Sequence, residues 1–372
     1  MSETITPKAY ERALTLRDLT DPATGDHAMQ RLLEATTGAL AGRWGCPTLV
    51  HRGSRVVPVG DNYELLGYEP AAAARDSRYT RYVSEGAMLR SHTSALVPGA
   101  LRLIAADPPS DLLVVCPGLV WRRDVIDRLH TGEPHQLDLW RIARRPLGPA
   151  RLREMIAAVI EAALPGARWR TSDADHPYTD GGLEIEAKVD GHGGWVEVGE
   201  CGLAARHVLA GAGIDDPQVN GLAMGLGLDR LLMLRKGIGD IRLLRAGDPR
   251  VAGQLLELDE PYRPVSSMPP VRRDISIAVG RERDAEELGD QVRDALGPDA
   301  LAVESIEVLS ETPAAELPPA AVDRIGLGDG QKNVLLRITI RSHERTLTDA
   351  EANVLRNRIY AAVHEGTAAQ WA

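Results

Sequence analysis

The 372-residue chain contains no phenylalanine, where ordinary usage would give on the order of a dozen residues. Lysine is also scarce, with 4 residues among 43 basic side chains, so arginine supplies nearly all of the positive charge. A GC-rich genome explains the excess of arginine. It does not explain the missing phenylalanine, because one phenylalanine codon ends in C. Codon bias is therefore excluded as the cause of that absence.

Cysteine and long apolar segments are scarce as well. Cys46, Cys116 and Cys201 lie far apart, without a Cys-x-x-Cys pair or histidines at zinc spacing. This excludes a disulfide framework and a structural zinc site, and predicts three buried small hydrophobes. No apolar run approaches the roughly 18 residues of a membrane span. The first 22 residues lack the order of a signal peptide, so the sequence predicts a cytoplasmic protein.

The net charge is −10, which argues against nucleic-acid binding through bulk positive charge. Any contact with RNA must therefore be local. At about 150 residues per domain, the length predicts two or three domains. Ordinary fractions of hydrophobic (44%) and charged (26%) residues indicate a chain that buries a sizeable core.

Changes in residue pattern and in Gly and Pro content divide the chain into four segments. Residues 1–26 form an N-terminal extension, and 27–248 combine an amphipathic helix over 27–44 with short strands separated by Gly and Pro. A short helix followed by an extended, Pro-containing stretch at 249–267 is typical of a linker. A second domain follows at 268–372.

The second domain has the β-α-β-β-α order of a ferredoxin-like sandwich. Its net charge is negative, although Arg337, Arg341 and Arg345 predict a local cationic strip. A capping box of Thr348 and Glu351 opens its last helix. The predicted elements are strands at 275–279, 301–309 and 334–340, helices at 284–297 and 348–364, and a short last strand at 370–372.

Two segments of the larger domain carry groups suited to chemistry. The first, 116–142, places a polar loop beginning at Arg122 between two apolar, strand-like pieces. Such a loop is either a solvated hairpin tip or a set of groups projected into a cleft. The second, 219–244, has several small residues before Arg230. Small residues permit close approach of a ligand to the backbone, and the arginine suits phosphate.

These two segments resemble motifs 2 and 3 of class II aminoacyl-tRNA synthetases, and specifically of the phenylalanyl-tRNA synthetase family. Further matches follow in the same order: MLRSHTSA at 88–95, HPYTDGGLEIEA at 176–187 and WVEVGECG at 195–202. Residues 268–372 resemble the family's ferredoxin-like anticodon-binding domain, fused to the core as in the single-chain mitochondrial type. The resemblance implies an α+β fold, with an antiparallel β-sheet core flanked by helices and a C-terminal ferredoxin-like α/β sandwich.

The resemblance also implies a reaction and its residues. Such enzymes form an aminoacyl adenylate from ATP and an amino acid, with Mg²⁺, and pass the acyl group to tRNA. The implied catalytic residues are Arg122, Arg230 and His130, with Asp124 and Pro134 also at the ATP. The implied amino-acid-binding residues are His92, Ser94, Gln136, Asp138, His176, Tyr178, Thr179, Ala223 and Gly225, and the implied metal ligands are Asp180 and Glu197. Class II cores commonly dimerise, whereas the single-chain type implies a monomer.

Several positions depart from the family pattern. Asp138 and Asp180 stand where the family has glutamate. His176 and Tyr178 replace two phenylalanines that face the substrate ring. Pro134 replaces the one that stacks on adenine, so the nucleotide is either held less firmly or held by Trp121 or Trp140. Leu222 and Met224 also stand at family phenylalanines and are assigned to the core. Replacement at so many sites suggests pressure against phenylalanine itself, as in a second synthetase made when charged phenylalanine tRNA is scarce; chance is the alternative.

Three functions remain open on the sequence alone. The leading one is an ATP-dependent ligase that charges tRNA with phenylalanine or a close aromatic analogue. The second keeps adenylation but transfers the acyl group to another acceptor. The third is a non-catalytic paralogue that senses an amino acid or tRNA, against which Arg122 and Arg230 argue, because a sensor has no need of arginines that stabilise phosphoryl charge.

Overall fold

The computed structural model describes residues 4–77, 79–191, 193–265 and 268–368. Its contacts divide the chain into two units. The first comprises the chain up to Arg122, Glu133–Gly239 and Gly253–Arg263; the second comprises Arg123–Gly132, Asp240–Ala252 and the chain from Pro264. The predicted α+β class is confirmed. The domain boundaries at 26, 248 and 267 stay predictions.

The first unit is built on a seven-stranded sheet. Its strands and those of a smaller sheet are β1 Thr48–Val50, β2 Val56–Pro58, β3 Tyr82–Ser84, β4 Ala87–Leu89, β5 Asp111–Leu119, β6 His135–Ala143, β7 Arg168–Asp173, β8 Thr179–Lys188, β9 Val196–Ala204 and β10 Asn220–Gly227. The large sheet has the order β1-β5-β6-β10-β9-β8-β7, and the small one β2-β4-β3. Only the β1–β5 pair of the large sheet is parallel.

The helices of the first unit are α1 Pro7–Thr15, α2 Ala28–Trp44, α3 Val59–Asn62, α4 Val97–Arg102, α5 Pro149–Ala163, α6 Arg206–Gly211 and α7 Leu228–Lys236. Helix α2 confirms the prediction for 27–44. His27 Nδ1 accepts a hydrogen bond from the Met29 amide (3.1 Å) at its start, and Gly45 ends it in the left-handed conformation with φ 60°. Helices α2, α5 and α7 pack on one another and on the sheet.

The sheet buries both faces. Alternate residues of β6 and β10 point to opposite sides, so Leu139 and Met224 face one way and Trp140 and Ala223 the other. All four side chains are buried. Trp140 and Ala223 belong to a core that includes residues of α4 and α6. The three cysteines are buried, as predicted, and so are Leu222 and Met224.

The second unit contains strands β11 Val271–Gly280, β12 Val303–Pro313 and β13 Gln331–Ile340, and helices α8 Pro249–Ala252, α9 Ala285–Leu296, α10 Pro319–Ile325 and α11 Asp349–Val363. The antiparallel sheet order is β11-β13-β12, and α9 and α11 share one apolar core with it. The β-α-β-β-α order and the capping box of Thr348 and Glu351 are confirmed. Helix α10 was not predicted, and the predicted strand at 370–372 lies outside the described residues.

The predicted cationic strip on the second unit is wrong. Each of its arginines forms an ion pair, which cancels its charge locally: Arg337 with Asp274 (2.8 Å), Arg341 with Glu304 (2.9 Å) and Arg345 with Glu351 (2.7 Å). Glu307 also stands opposite Arg337 on the neighbouring strand β12. The sequence did not reveal these ion pairs because the acidic residues come from other strands or from the following helix.

One glycine of the large sheet sets a close contact between β8 and β9. A Cβ placed on Gly202 would stand 2.5 Å from the Cβ of Thr179, which is buried and branched and cannot withdraw. We expect Gly202→Ala to lower the free energy of unfolding by about 1–3 kcal/mol through overpacking. Gly38→Ala is the matched control, since nothing lies within 4 Å of that position in α2. It should be neutral or stabilising by up to about 1 kcal/mol. Urea unfolding of both variants measures the difference, and equal midpoints would contradict this account.

Candidate active site

The candidate site lies on the sheet face that carries Trp140 and Ala223. On β6, Gln136 and Asp138 precede Trp140 at intervals of two, so all three point the same way. On the neighbouring strand β10, Gly227 stands opposite Gln136 and Gly225 opposite Asp138. The small residues leave the backbone of β10 open between the side chains of β6 and those of β9.

Asp138 is a buried carboxylate held on both oxygens. The Thr93 hydroxyl donates to Oδ2 at 2.6 Å, and the Trp140 indole N–H donates to Oδ1 at 3.1 Å. Burial raises the pKa of Asp138 to about 6, against the opposing effect of hydrogen bonds from Thr93, Trp140 and Ser94. A fixed, desolvated carboxylate of this kind attracts an ammonium group strongly.

Gln136 and Ser94 flank this carboxylate. The Gln136 side-chain oxygen accepts a hydrogen bond from the Thr93 amide at 3.2 Å, which fixes the direction of its carboxamide. Ser94 is buried in the turn Thr93–Leu96 and hydrogen bonds to Asp138. The structure thus brings Ser94, Gln136 and Asp138 together, in the arrangement expected of an ammonium site. Thr93, which orients two of them, was not predicted.

Aromatic rings line the next part of the site. His92 stacks on Tyr68 with ring centroids 5.8 Å apart, and Tyr68 lies 6.4 Å from Tyr178. Tyr63 meets Tyr68 edge to face at 5.4 Å. Burial, together with the charge of Arg122, lowers the pKa of His92 to about 4, against the opposing effect of the Glu200 charge. His92 is therefore neutral at pH 7 and acts as a ring wall rather than as a cation.

Glu200 was not predicted as a site residue, yet it lies at the centre of this face. It pairs with Gly225 from the β9 side, and its carboxylate accepts hydrogen bonds from the Tyr178 hydroxyl and from Nε2 of His176. The rings of His176 and Tyr178 are 5.9 Å apart. The only available signal was a glutamate between two glycines in the strand segment 195–202. Thr179 is also close by, packed over Gly202.

The arginines implied for phosphate binding occupy two positions of the first unit. Arg122 is exposed after β5, where its charge reaches His92. Arg230 lies in the first turn of α7 and its Nη1 donates to the Glu197 backbone carbonyl at 2.9 Å, with the Glu197 carboxylate at 3.3 Å. Arg230 and Glu197 are thus held together, as an arginine and an acid at one ATP would be.

The implied metal pair of Asp180 and Glu197 is a wrong pairing. Asp180 stands opposite Leu203, whereas Glu197 stands opposite Glu186 near the other end of the β8–β9 ladder. At roughly 3.3 Å per residue, they are on the order of 20 Å apart and cannot hold one ion. Within the described ranges, no three His, Cys, Asp or Glu side chains form a metal cluster. Mg²⁺ bound mainly by nucleotide phosphates needs only one or two protein carboxylates, so one of these acids is enough.

The remaining implied ATP residues are placed as follows. Pro134 precedes β6, and its carbonyl accepts from the Val120 amide at 2.9 Å, closing the hairpin stem. Asp124 and His130 belong to the segment Arg123–Gly132, which groups with the second unit. Their role at ATP stays a prediction. Trp121 and Trp140 are fully buried in the first unit, so neither can stack on adenine as expected.

A buried histidine ties the two motif segments together. His135 Nδ1 and its backbone amide both bond to the carboxylate of Asp229, the neighbour of Arg230. The Leu19 amide donates to His135 Nε2 at 3.1 Å. Nε2 is therefore an acceptor, and Nδ1 is the ring nitrogen that donates to Asp229. This chain of bonds fixes the start of β6 against the start of α7.

A mostly antiparallel sheet with this strand order, buried polar side chains on one face and arginines after β5 and β10 are features of the core of a class II aminoacyl-tRNA synthetase. Residues 44–255, more than half of the chain, match the family model of class II tRNA synthetase core domains (F), and the chain belongs to this family. Residues 266–371 match the ferredoxin-fold anticodon binding domain, which supports tRNA binding. Among the described residues, no helix combines the length and apolar character needed to cross a membrane.

Curated relatives are phenylalanine–tRNA ligase alpha subunits. That of Prochlorococcus marinus (strain MIT 9313) is 33% identical over 239 residues, covering 64% of this chain and 69% of the relative. That of Nostoc punctiforme is 33% identical over 193 residues, covering 52% of this chain and 56% of the relative. For the second, the chain spans little more than half of the relative's length.

Removal of the Arg122 guanidinium should slow adenylate formation by a factor on the order of 100 or more. This is the typical effect of losing one preorganised hydrogen-bond donor to the charge that develops in the transition state. ATP–pyrophosphate exchange by Arg122→Ala measures the loss. Arg151→Ala, which removes an exposed arginine of α5 paired only locally with Glu154, is the control and should exchange normally. Near-normal exchange by Arg122→Ala would show that Arg122 does not act at the α-phosphate.

The KM for the amino acid should rise as the pH falls below about 6. The reason is that protonation of Asp138 removes the acceptor charge, whereas a bound ammonium favours the ionised carboxylate. Above this pH, the KM should level off. Asp138→Asn should show a high KM that changes little between pH 5 and 8. A wild-type KM that is constant over that range would contradict the assignment.

Proposed function

We propose that the protein activates phenylalanine or a related aromatic amino acid as an aminoacyl adenylate and transfers the acyl group to tRNA. The observation that carries this proposal is the ammonium site of Asp138, Gln136 and Ser94 beside aromatic walls on a class II sheet. The names of the relatives support phenylalanine as the parent substrate. The anticodon-binding match favours tRNA over another acceptor.

In the first step, a carboxylate oxygen of the amino acid forms a bond to the α-phosphorus of ATP and pyrophosphate leaves. Asp138 and Gln136 hold the ammonium group and so orient the carboxylate. Arg122 meets the charge that develops on the α-phosphoryl oxygens, and Arg230 binds the outer phosphates. Magnesium, when bound with ATP, would neutralise phosphate charge, and we assign Glu197 as its carboxylate.

In the second step, a terminal ribose hydroxyl of tRNA attacks the acyl carbonyl, loses its proton and displaces AMP. This chain carries both the core and the anticodon-binding matches. Since the two lie in one polypeptide, we expect the enzyme to act as a monomer or homodimer without a second kind of subunit. We place its activity in the cytoplasm, where uncharged tRNA is available.

The test is ATP–pyrophosphate exchange by the purified chain with the standard amino acids and ring-substituted phenylalanines, followed by charging of total tRNA. Exchange with an aromatic amino acid and a charged tRNA are the expected results. Exchange without charging would indicate a different acceptor. Binding of amino acid or tRNA without exchange would replace the proposed ligase with a sensing role.

A further inference from the structure

The register of three strands places a second carboxylate in the amino-acid site. Asp138, Gly225 and Glu200 stand side by side on β6, β10 and β9. A Cβ on Gly225 would lie 3.9 Å from Oδ2 of Asp138 and 3.9 Å from Oε1 of Glu200. The two oxygens are therefore no further apart than twice that distance, and the residue between them has no side chain. An amino acid whose ammonium binds Asp138 extends its side chain over Gly225 toward Glu200.

Glu200 is ionised at neutral pH. Burial would raise its pKa, but hydrogen bonds from His176 and Tyr178 outweigh burial and lower it. In return, the hydrogen bond to Glu200 raises the pKa of His176. Glu200 and His176 thus form one hydrogen-bonded pair at this end of the site, which suits a substrate group that can both donate and accept a hydrogen bond.

The polar end of the site has unused hydrogen-bonding capacity. A carboxylate accepts about four hydrogen bonds, and those from His176 and Tyr178 account for two. Nδ1 of His176 is buried and has no hydrogen-bond partner among the described residues. Buried polar atoms in this condition are typical of a site completed by a ligand. A hydroxyl group fits, because it donates to a carboxylate and accepts from an imidazole N–H.

A plain phenyl ring does not complete this end of the site. It would remove water from Glu200 without replacing the lost hydrogen bonds. Sites that hydrogen bond a substrate hydroxyl discriminate against the analogue that lacks this hydroxyl by factors of about 10⁴–10⁵. The ring itself is well accommodated, because Tyr68, Tyr178 and His92 present aromatic faces and edges around it.

We infer that Glu200, with His176 and Tyr178, forms a hydroxyl-binding end of the amino-acid site, so that the enzyme prefers an aromatic amino acid with a ring hydroxyl over phenylalanine. This inference rests on the proposed function, since it names the substrate class of the same site. Glu200 acts as a specificity-determining residue and takes no part in the phosphoryl chemistry.

The experiment compares kcat/KM in ATP–pyrophosphate exchange for phenylalanine, tyrosine, meta-tyrosine and 3,4-dihydroxyphenylalanine. At least one hydroxylated substrate should exceed phenylalanine by a factor of ten or more in the wild-type enzyme. Phenylalanine exceeding all three would overturn the inference while leaving the proposed ligase intact. No exchange with any of the four would instead contradict the proposed function.

Variants then test the residue. Glu200→Ala should reduce the ratio of hydroxylated substrate to phenylalanine by a factor of about ten or more, mostly through KM. The double variant His176→Phe with Tyr178→Phe should shift preference the same way, and it keeps the test decisive if Glu200→Ala does not fold. Glu34→Gln is the control, because Glu34 is an exposed glutamate of α2 and its replacement removes the same charge outside this row of residues. Its ratio should stay near the wild-type value. An unchanged ratio in a variant that still exchanges phenylalanine would show that these side chains do not contact the substrate ring.

Discussion

The site depends on one cross-strand row, in which Gly225 separates the carboxylates of Asp138 and Glu200. Because three neighbouring strands are in register, the spacing between the two acids is set by the sheet rather than by flexible loops. Each carboxylate is then fixed by its own donors: Thr93 and Trp140 for Asp138, and His176 and Tyr178 for Glu200. The sheet therefore fixes the distance between the carboxylate that binds the substrate ammonium and the carboxylate at the far end of the ring.

Two of the positions at which the resemblance implies phenylalanine lie next to this row of residues. His176 and Tyr178 stand where the resemblance implies two hydrocarbon rings, and Glu200 accepts one hydrogen bond from each of them. Burying a polar ring beside a polar partner costs little free energy. The polar rings without Glu200, or Glu200 without the polar rings, would leave a buried group without a hydrogen bond. Leu222 and Met224 face the opposite side of the sheet and are simply core residues. The substitutions in the site and those in the core therefore have different consequences, although all remove the same residue.

Much of the fold was accessible from sequence, and the reasons are local. Period-two alternation predicted β13, helical spacing predicted α2, and a capping box predicted the start of α11. Contacts between distant segments were not accessible. Neither the ion pairs that neutralise Arg337, Arg341 and Arg345 nor the separation of Asp180 from Glu197 follows from local pattern. Glu200 was missed for the same reason, because its importance comes from strand register.

The most direct measurement is a crystal structure of the protein with a non-hydrolysable tyrosyl adenylate analogue. The account predicts the α-ammonium within hydrogen-bond distance of Asp138, the ring over Gly225, and the phenolic oxygen within hydrogen-bond distance of the Glu200 carboxylate. A complex in which the ammonium binds away from Asp138, or in which the ring points away from Glu200, would contradict it.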